Sequence, residues 1–143
     1  MIADNGVIWL GGTSDGITAY ENGKFTNYPG SVETVRPRVR AFVEDKDGRI
    51  WACGYGGISI YDQGKFTQLT VQNGLPSSIV YRATRGRDDT IWLGITGAGV
   101  VGYDGHAWTH LSPQDGLICG ENIMAFEEDI HGDLWIGGGK GAI

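Results

Sequence analysis

Four tryptophans, Trp9, Trp51, Trp92 and Trp135, recur at intervals of 42, 41 and 43 residues. Each lies in a short apolar run closed by glycine: Ile8-Trp9-Leu10-Gly11, Ile50-Trp51-Ala52-Cys53-Gly54, Ile91-Trp92-Leu93-Gly94 and Leu134-Trp135-Ile136-Gly137. A fixed period of this length means that one supersecondary unit is copied and stacked. The copies stay in phase beyond the tryptophan. A second run ends at Tyr20, Tyr61 and Tyr103, and a third reads Gly23-Lys24-Phe25-Thr26, Gly64-Lys65-Phe66-Thr67 and Gly105-His106-Ala107-Trp108-Thr109. Loops such as Asn73-Gly74-Leu75-Pro76 and Asp115-Gly116-Leu117-Ile118 lead into a fourth run, at residues 39–45, 79–85 and 123–129.

The runs are short, rich in Ile, Val, Thr, Tyr and Trp, and bounded by Gly, Asp and Asn, which is the pattern of strands. Sustained helical spacing is absent, because a glycine interrupts every long window. Four strands per repeat of about 42 residues is the signature of a β-propeller blade. The expected fold is therefore all-β, with four antiparallel strands per blade. Residues 39–45, 79–85 and 123–129 are innermost (A), the Trp runs follow (B), then the Tyr runs (C), and the Phe-Thr or Trp-Thr runs are outermost (D). Tryptophan and its apolar neighbours are expected to fill the space between blades.

The chain of 143 residues holds about 3.4 such repeats, approximately 1–35, 36–76, 77–119 and a partial 120–143, read as a single domain 1–143. Closed propellers carry about four to eight blades. An open arc exposes a sheet face at each end, so closure by self-association, or by further blades of a longer propeller, is expected. At the A–B connections Asp47-Gly48, Asn5-Gly6 and His131-Gly132 suit two-residue hairpins that need positive φ. Asp88-Asp89 lacks that glycine, which predicts a different loop.

Composition excludes other classes. Glycine is abundant, at 25 residues, but only 4 prolines and 41% hydrophobic residues argue against collagen and disorder alike. The net charge of −6 argues against a nucleic-acid partner. No apolar run reaches the ~18 residues of a membrane helix, so no membrane insertion is expected. Met1 opens into a strand-like stretch, and no signal peptide is read there. Cys53 and Cys119 are too few for a disulfide framework and are read as free thiols.

These residues resemble the two-component regulator propeller repeat. The matching elements are Gly74-Leu75-Pro76, Glu44-Asp45-Lys46-Asp47-Gly48-Arg49-Ile50-Trp51 and the run from Glu128-Asp129 through Gly132 to Leu134-Trp135-Ile136-Gly137. The third copy departs at Arg85-Gly86-Arg87-Asp88-Asp89, which lacks both Glu-Asp and the hairpin glycine. The resemblance implies a blade from the extracytoplasmic sensor region of hybrid two-component regulators, where such propellers recognise ligands such as glycan fragments. Transmembrane, kinase and receiver motifs are absent from this sequence, so a module rather than a whole receptor is implied.

Candidate chemistry is sparse. Asp45-Lys46-Asp47-Gly48 lacks the further ligands of a calcium loop and reads as a hairpin turn. The clusters Gly54-Tyr55-Gly56-Gly57, Gly97-Ala98-Gly99 and Gly137-Gly138-Gly139 are followed by strands, not by the helix N-terminus that phosphate cradling needs. His106, His110 and His131 are scattered and suggest no metal site. No nucleophile motif appears. Neither a cofactor nor a metal is expected.

The inner face is more informative. Aligning the copies places Arg36, Arg38, Ser77, Ser78, Glu121 and Asn122 around the channel, with Tyr81 on an inner strand and Tyr55, Thr13 and Thr96 in adjoining B–C loops. Aromatic faces beside polar groups suit a carbohydrate, and the arginines suit one bearing a carboxylate. Arg40 and Arg82 fall inside inner strands, so they reach the channel or pair with carboxylates of a neighbouring blade. The expected function is non-enzymatic ligand recognition. The alternatives are a self-assembling scaffold and an enzyme resembling the streptogramin-lyase propellers.

Overall fold

The computed structural model describes residues 1–12, 16–30, 38–117 and 122–142. Arg36 and Glu121, both expected at the rim, lie outside the described residues, as do Thr13 and Cys119. The fold is all-β. Strands β1 (Ile8–Gly11), β2 (Ile17–Glu21) and β3 (Lys24–Tyr28) form the first sheet, in that order. The second contains β4 (Val39–Glu44), β5 (Ile50–Gly54), β6 (Gly57–Asp62) and β7 (Lys65–Leu69). The third contains β8 (Val80–Arg85), β9 (Ile91–Ile95), β10 (Gly99–Tyr103) and β11 (Trp108–Leu111), and the fourth β12 (Ile123–Glu128), β13 (Leu134–Gly138) and β14 (Gly141–Ala142). Every pairing is antiparallel between consecutive strands, so each sheet is a meander with the expected A-B-C-D order. Met1–Ala3 stands in for an A strand in the first blade: Ile2 bridges Ile8, and the Met1 ammonium donates to the Trp9 carbonyl at 3.0 Å.

The blades pack face to face along an arc that does not close. Between blades 1 and 2 lie Trp9, Ile17, Ala19, Ile50 and Ala52, and between blades 2 and 3 lie Trp51, Cys53, Ile58, Val80, Leu93 and Ile95. Blades 3 and 4 share Val100, Leu117, Ile123 and Ile136. Burying such side chains is worth roughly 1.5–3 kcal/mol each, which is why a sheet with two apolar faces holds only when stacked. The tryptophans follow this gradient. Trp9 is 4% and Trp51 2% exposed, whereas Trp92 is half-buried. Trp135, expected between blades, is instead 54% exposed, because no further sheet among the described residues packs against the fourth.

The turns differ from the expectation in two ways. The A–B hairpins have three-residue loops, not two. Asp45 N–H donates to the Arg49 carbonyl, Gly48 N–H donates to the Asp45 carbonyl, and Gly48 takes φ +76°. This is a type I turn followed by a left-handed residue. The third blade keeps the same loop rather than a different one: Gly86 bonds Thr90, Asp89 bonds Gly86, and Asp89 itself adopts φ +67°. Aspartate tolerates that region better than most residues, so the glycine is dispensable there. Two-residue turns with positive φ occur instead between C and D, at Asn22-Gly23 (φ +49° and +80°) and Gln63-Gly64 (φ +44° and +90°).

The loops from β7 to β8 and from β11 to β12 each hold a single-turn 3₁₀ helix, Val71–Asn73 and Pro113–Asp115, inside a capping box from Thr70 and Ser112. The following glycine takes a positive φ, and the next residue, Leu75 or Leu117, then plugs the core at 3% and 4% exposure. The Gly-Leu pair thus anchors the loops leading to β8 and β12.

Candidate functional site

Each inner strand carries a bulge at the same place. The register of β4 against β5 shifts between Val39 and Ala41, that of β8 against β9 between Val80 and Arg82, and that of β12 against β13 between Ile123 and Ala125. The unpaired residues are Arg40, Tyr81 and Met124. A bulge re-aims its side chain out of the ladder. These three positions consequently point away from the interblade cores and define the inner face.

Arg40 meets two tyrosines there. Its guanidinium carbon lies 5.4 Å from the centroid of the Tyr55 ring and 5.5 Å from that of Tyr81. Arg38 lies over the Tyr55 ring as well, at 5.7 Å. The two phenol oxygens are 2.9 Å apart, and their rings stand at 74° to one another. Tyr55 is brought there by the β5–β6 turn, and it bridges to Ile79 just before β8. The hydrogen bond from Tyr81, and then the Arg40 guanidinium, lower the pKa of Tyr55. The reciprocal hydrogen bond with Tyr55 raises that of Tyr81.

Arg82 answers the question left open by the sequence in a third way. Among the described residues it pairs with no carboxylate; its Nε donates to the Met124 carbonyl of the next blade at 2.7 Å, and an Nη donates to the Tyr81 carbonyl at 3.0 Å. It ties blades 3 and 4 together beside Tyr81. Arg40 lies on the tyrosines of the inner face instead.

Tyr81 and Arg82 also border a groove of about 320 Å³ with Asn122, Ile123, Met124 and Gly139. The expected rim residues thus divide. Arg38, Tyr55 and Tyr81 come together in one cluster, and Asn122 lines the adjoining groove. Ser77 and Ser78 sit in the loop below, where the Ser78 carbonyl accepts from Gly56 N–H at 2.7 Å. Arg40, which the sequence left unassigned, joins this cluster. The bulge signal was present in the aligned positions of Arg40, Tyr81 and Met124, but not the contact between neighbouring blades.

The histidines stay apart from this face. His106 lies in the β10–β11 loop, His110 on β11 against the Ala98 carbonyl, and His131 in the β12–β13 turn.

The strand order, the stacked sheets and the shared inner face make this an arc of β-propeller blades. Residues 36–56 match the family described as two component regulator propeller, so the resemblance read from the repeats holds. No curated protein sequence matches the chain. Among solved structures, the extracellular domain of the hybrid two component system protein BT3049 from B. thetaiotaomicron superposes with a TM-score of 0.77 at 24% identity. That likeness covers 95% of this chain and 20% of the other. Virginiamycin B lyase from Staphylococcus aureus gives a TM-score of 0.70 at 19% identity, covering 96% of this chain and 47% of the lyase. Both establish the fold. The chain spans less than half the length of either protein, and it is a propeller module similar to the sensor domains of two-component regulators.

Proposed function

We propose that the chain is a non-enzymatic recognition module of the sensor type, with its ligand at the inner face around Tyr55, Tyr81 and Arg40, and that the ligand is a glycan. The observation that carries this reading is the guanidinium of Arg40 set over two half-buried tyrosine rings beside an open groove. Partly exposed aromatic faces stack on sugar rings, and the flanking donors orient hydroxyl groups. The histidines, which a general-base mechanism in such a fold could use, lie on outer strands and turns. Titration of the isotope-labelled chain with a panel of oligosaccharides tests the proposal. Shifts confined to Tyr55, Tyr81 and the groove, lost in Tyr81→Ala, support it; turnover of a saccharide or of a streptogramin, or no shift with any member of the panel, overturns it.

The proposal includes self-association. Trp9 meets Tyr61 of the next blade with centroids 4.8 Å apart, and Trp51 meets Tyr103 of the next at 5.6 Å. The two ends of the arc carry the unmatched halves of this same contact. Trp135 is 54% exposed at one end, while at the other Tyr20 stacks on Phe25, itself 63% exposed, beside Leu10 at 45%. A second copy set head to tail places Trp135 against Tyr20 and continues the established blade interface.

A further inference from the structure

We infer that the inner-face site selects an anionic ligand, a saccharide bearing a carboxylate or a sulfate, and that Arg40 and Arg38 receive that group while Tyr55 and Tyr81 hold the ring next to it. The inference rests on the recognition reading above and narrows its ligand class.

Three observations carry it. First, the chain has a net charge of −6, yet two arginines converge on one tyrosine ring, with their guanidinium carbons 5.7 Å and 5.4 Å from its centroid. Among the described residues no carboxylate lies within ion-pairing distance of either, whereas Arg49, Arg85 and Arg87 each have one. Second, a guanidinium has five N–H donors and no acceptor. Lying over aromatic faces fixes its orientation, the Tyr55 hydroxyl takes up one Arg40 donor, and the donors that remain suit the two oxygens of a carboxylate or sulfate.

Third, Arg38 is held at φ +115°, a region that residues with a side chain rarely occupy. Such backbone strain clusters where a side chain must be placed for binding. The same crossing is tight from the other side, since a Cβ on Gly54 would lie 2.3 Å from the Arg38 carbonyl oxygen. The pKa of the Tyr55 phenol, lowered first by its hydrogen bond with Tyr81, is lowered further by Arg40 and Arg38.

The experiment compares three probes on the full chain: a uronate-containing disaccharide, a sulfated disaccharide and their neutral parent, with inorganic sulfate as the bare anion. Binding is followed by the amide resonances of Tyr55 and Tyr81 and by calorimetry at two salt concentrations. One or both charged disaccharides should bind at least about tenfold more tightly than the parent, since a hydrogen bond to a charged group is worth roughly a decade in affinity or more. That advantage should shrink with added salt and vanish in Arg40→Gln, with melting temperature as the check that the exposed substitution leaves the fold intact. Which charged disaccharide wins separates carboxylate from sulfate, and sulfate alone binding as tightly as either makes the site one for a free anion, which overturns the saccharide part. Equal affinity for parent and charged probes, unchanged in Arg40→Gln, overturns the inference and leaves glycan recognition standing. No shift at Tyr55 with any probe overturns both.

Discussion

The indole nitrogen of Trp51 donates to Oδ2 of Asp45 at 2.8 Å, inside the hairpin that joins the inner strand to the Trp strand. Asp45 is only 5% exposed, and its other oxygen accepts the N–H groups of Asp47 and Arg49 at 3.0 and 2.9 Å. The Arg49 Nε completes the set at 2.7 Å on Oδ2. One carboxylate therefore folds the turn, neutralises a cation and satisfies the buried indole. Asp45→Ala should cost about 3 kcal/mol, because a buried N–H left without an acceptor adds its desolvation penalty to the lost ion pair. Urea denaturation measures this. Asp129 makes the equivalent bond to Trp135 at 3.1 Å on an exposed face, so Asp129→Ala should cost under about 1 kcal/mol.

The first blade lacks this device. Ala3 stands six residues before Trp9, as Asp45 does before Trp51, and the Trp9 indole nitrogen is buried without a partner. The turn N–H of Val7 is served instead by Asn5 Oδ1 at 3.0 Å, as that of Thr90 is by Asp88 in the third blade, also at 3.0 Å. Ala3→Asp supplies the missing acceptor and should raise stability by about 1 kcal/mol. A lower urea midpoint in Ala3→Asp would mean that the desolvated carboxylate costs more than the indole bond returns. The parallel change Gly86→Asp should destabilise, since a Cβ added there would lie 2.8 Å from Asp88 Oδ1 and 3.4 Å from Glu128 Oε2.

Identical repeat positions are not energetically identical. Trp51→Ala empties a fully packed site and should cost about 3–5 kcal/mol, while Trp135→Ala on the open end should cost under about 1 kcal/mol. If a second copy covers that end, Trp135→Ala should also lower the mass found by sedimentation across a dilution series. A wild-type chain that stays at 15.4 kDa at every concentration counts against head-to-tail association.

Acid should loosen the turns. Asp104 is held below the ordinary aspartate pKa by the N–H groups of Ala107 and His106, Asp115 by the hydroxyl and N–H of Ser112, and Asp129 chiefly by the Trp135 indole. A carboxylate with a depressed folded-state pKa stabilises above its unfolded value and loses that contribution as pH falls through the folded one. The urea midpoint should accordingly stay level down to about pH 5 and fall below roughly pH 4. Carboxyl ¹³C titration should place all three midpoints under the usual aspartate value; midpoints at that value would remove the turn bonds from the account.

Period and run length sufficed to read strands, their order and the inner position of β4, β8 and β12, because those depend on local composition repeated in phase. Contacts between copies were less visible. The Asp-Trp pair spans only six residues, yet Glu-Asp reads as mere turn chemistry until the indole is seen to fold back on it. Arg82 was read as a channel or ion-pair residue, but its partner is a backbone carbonyl 42 residues away. No side-chain pattern marks a carbonyl as an acceptor. Asp89 likewise replaced a glycine without changing the loop, because the turn requires a left-handed backbone and not a particular residue.

Arg38 couples stability and binding in opposite directions. Its φ of +115° is costly for any residue with a Cβ, by roughly 1–3 kcal/mol, and glycine removes that strain at an entropic cost of roughly 0.5–1 kcal/mol. Arg38→Gly should thus gain about 1 kcal/mol in urea denaturation while weakening binding of the charged disaccharides at least about fivefold. Arg38→Lys retains both the strain and a charge but loses the planar fork, so it should leave stability unchanged and still weaken binding. A destabilised glycine variant would show that the backbone at this position is unstrained. A lysine variant that binds as tightly as wild type would reduce the role of Arg38 to charge alone.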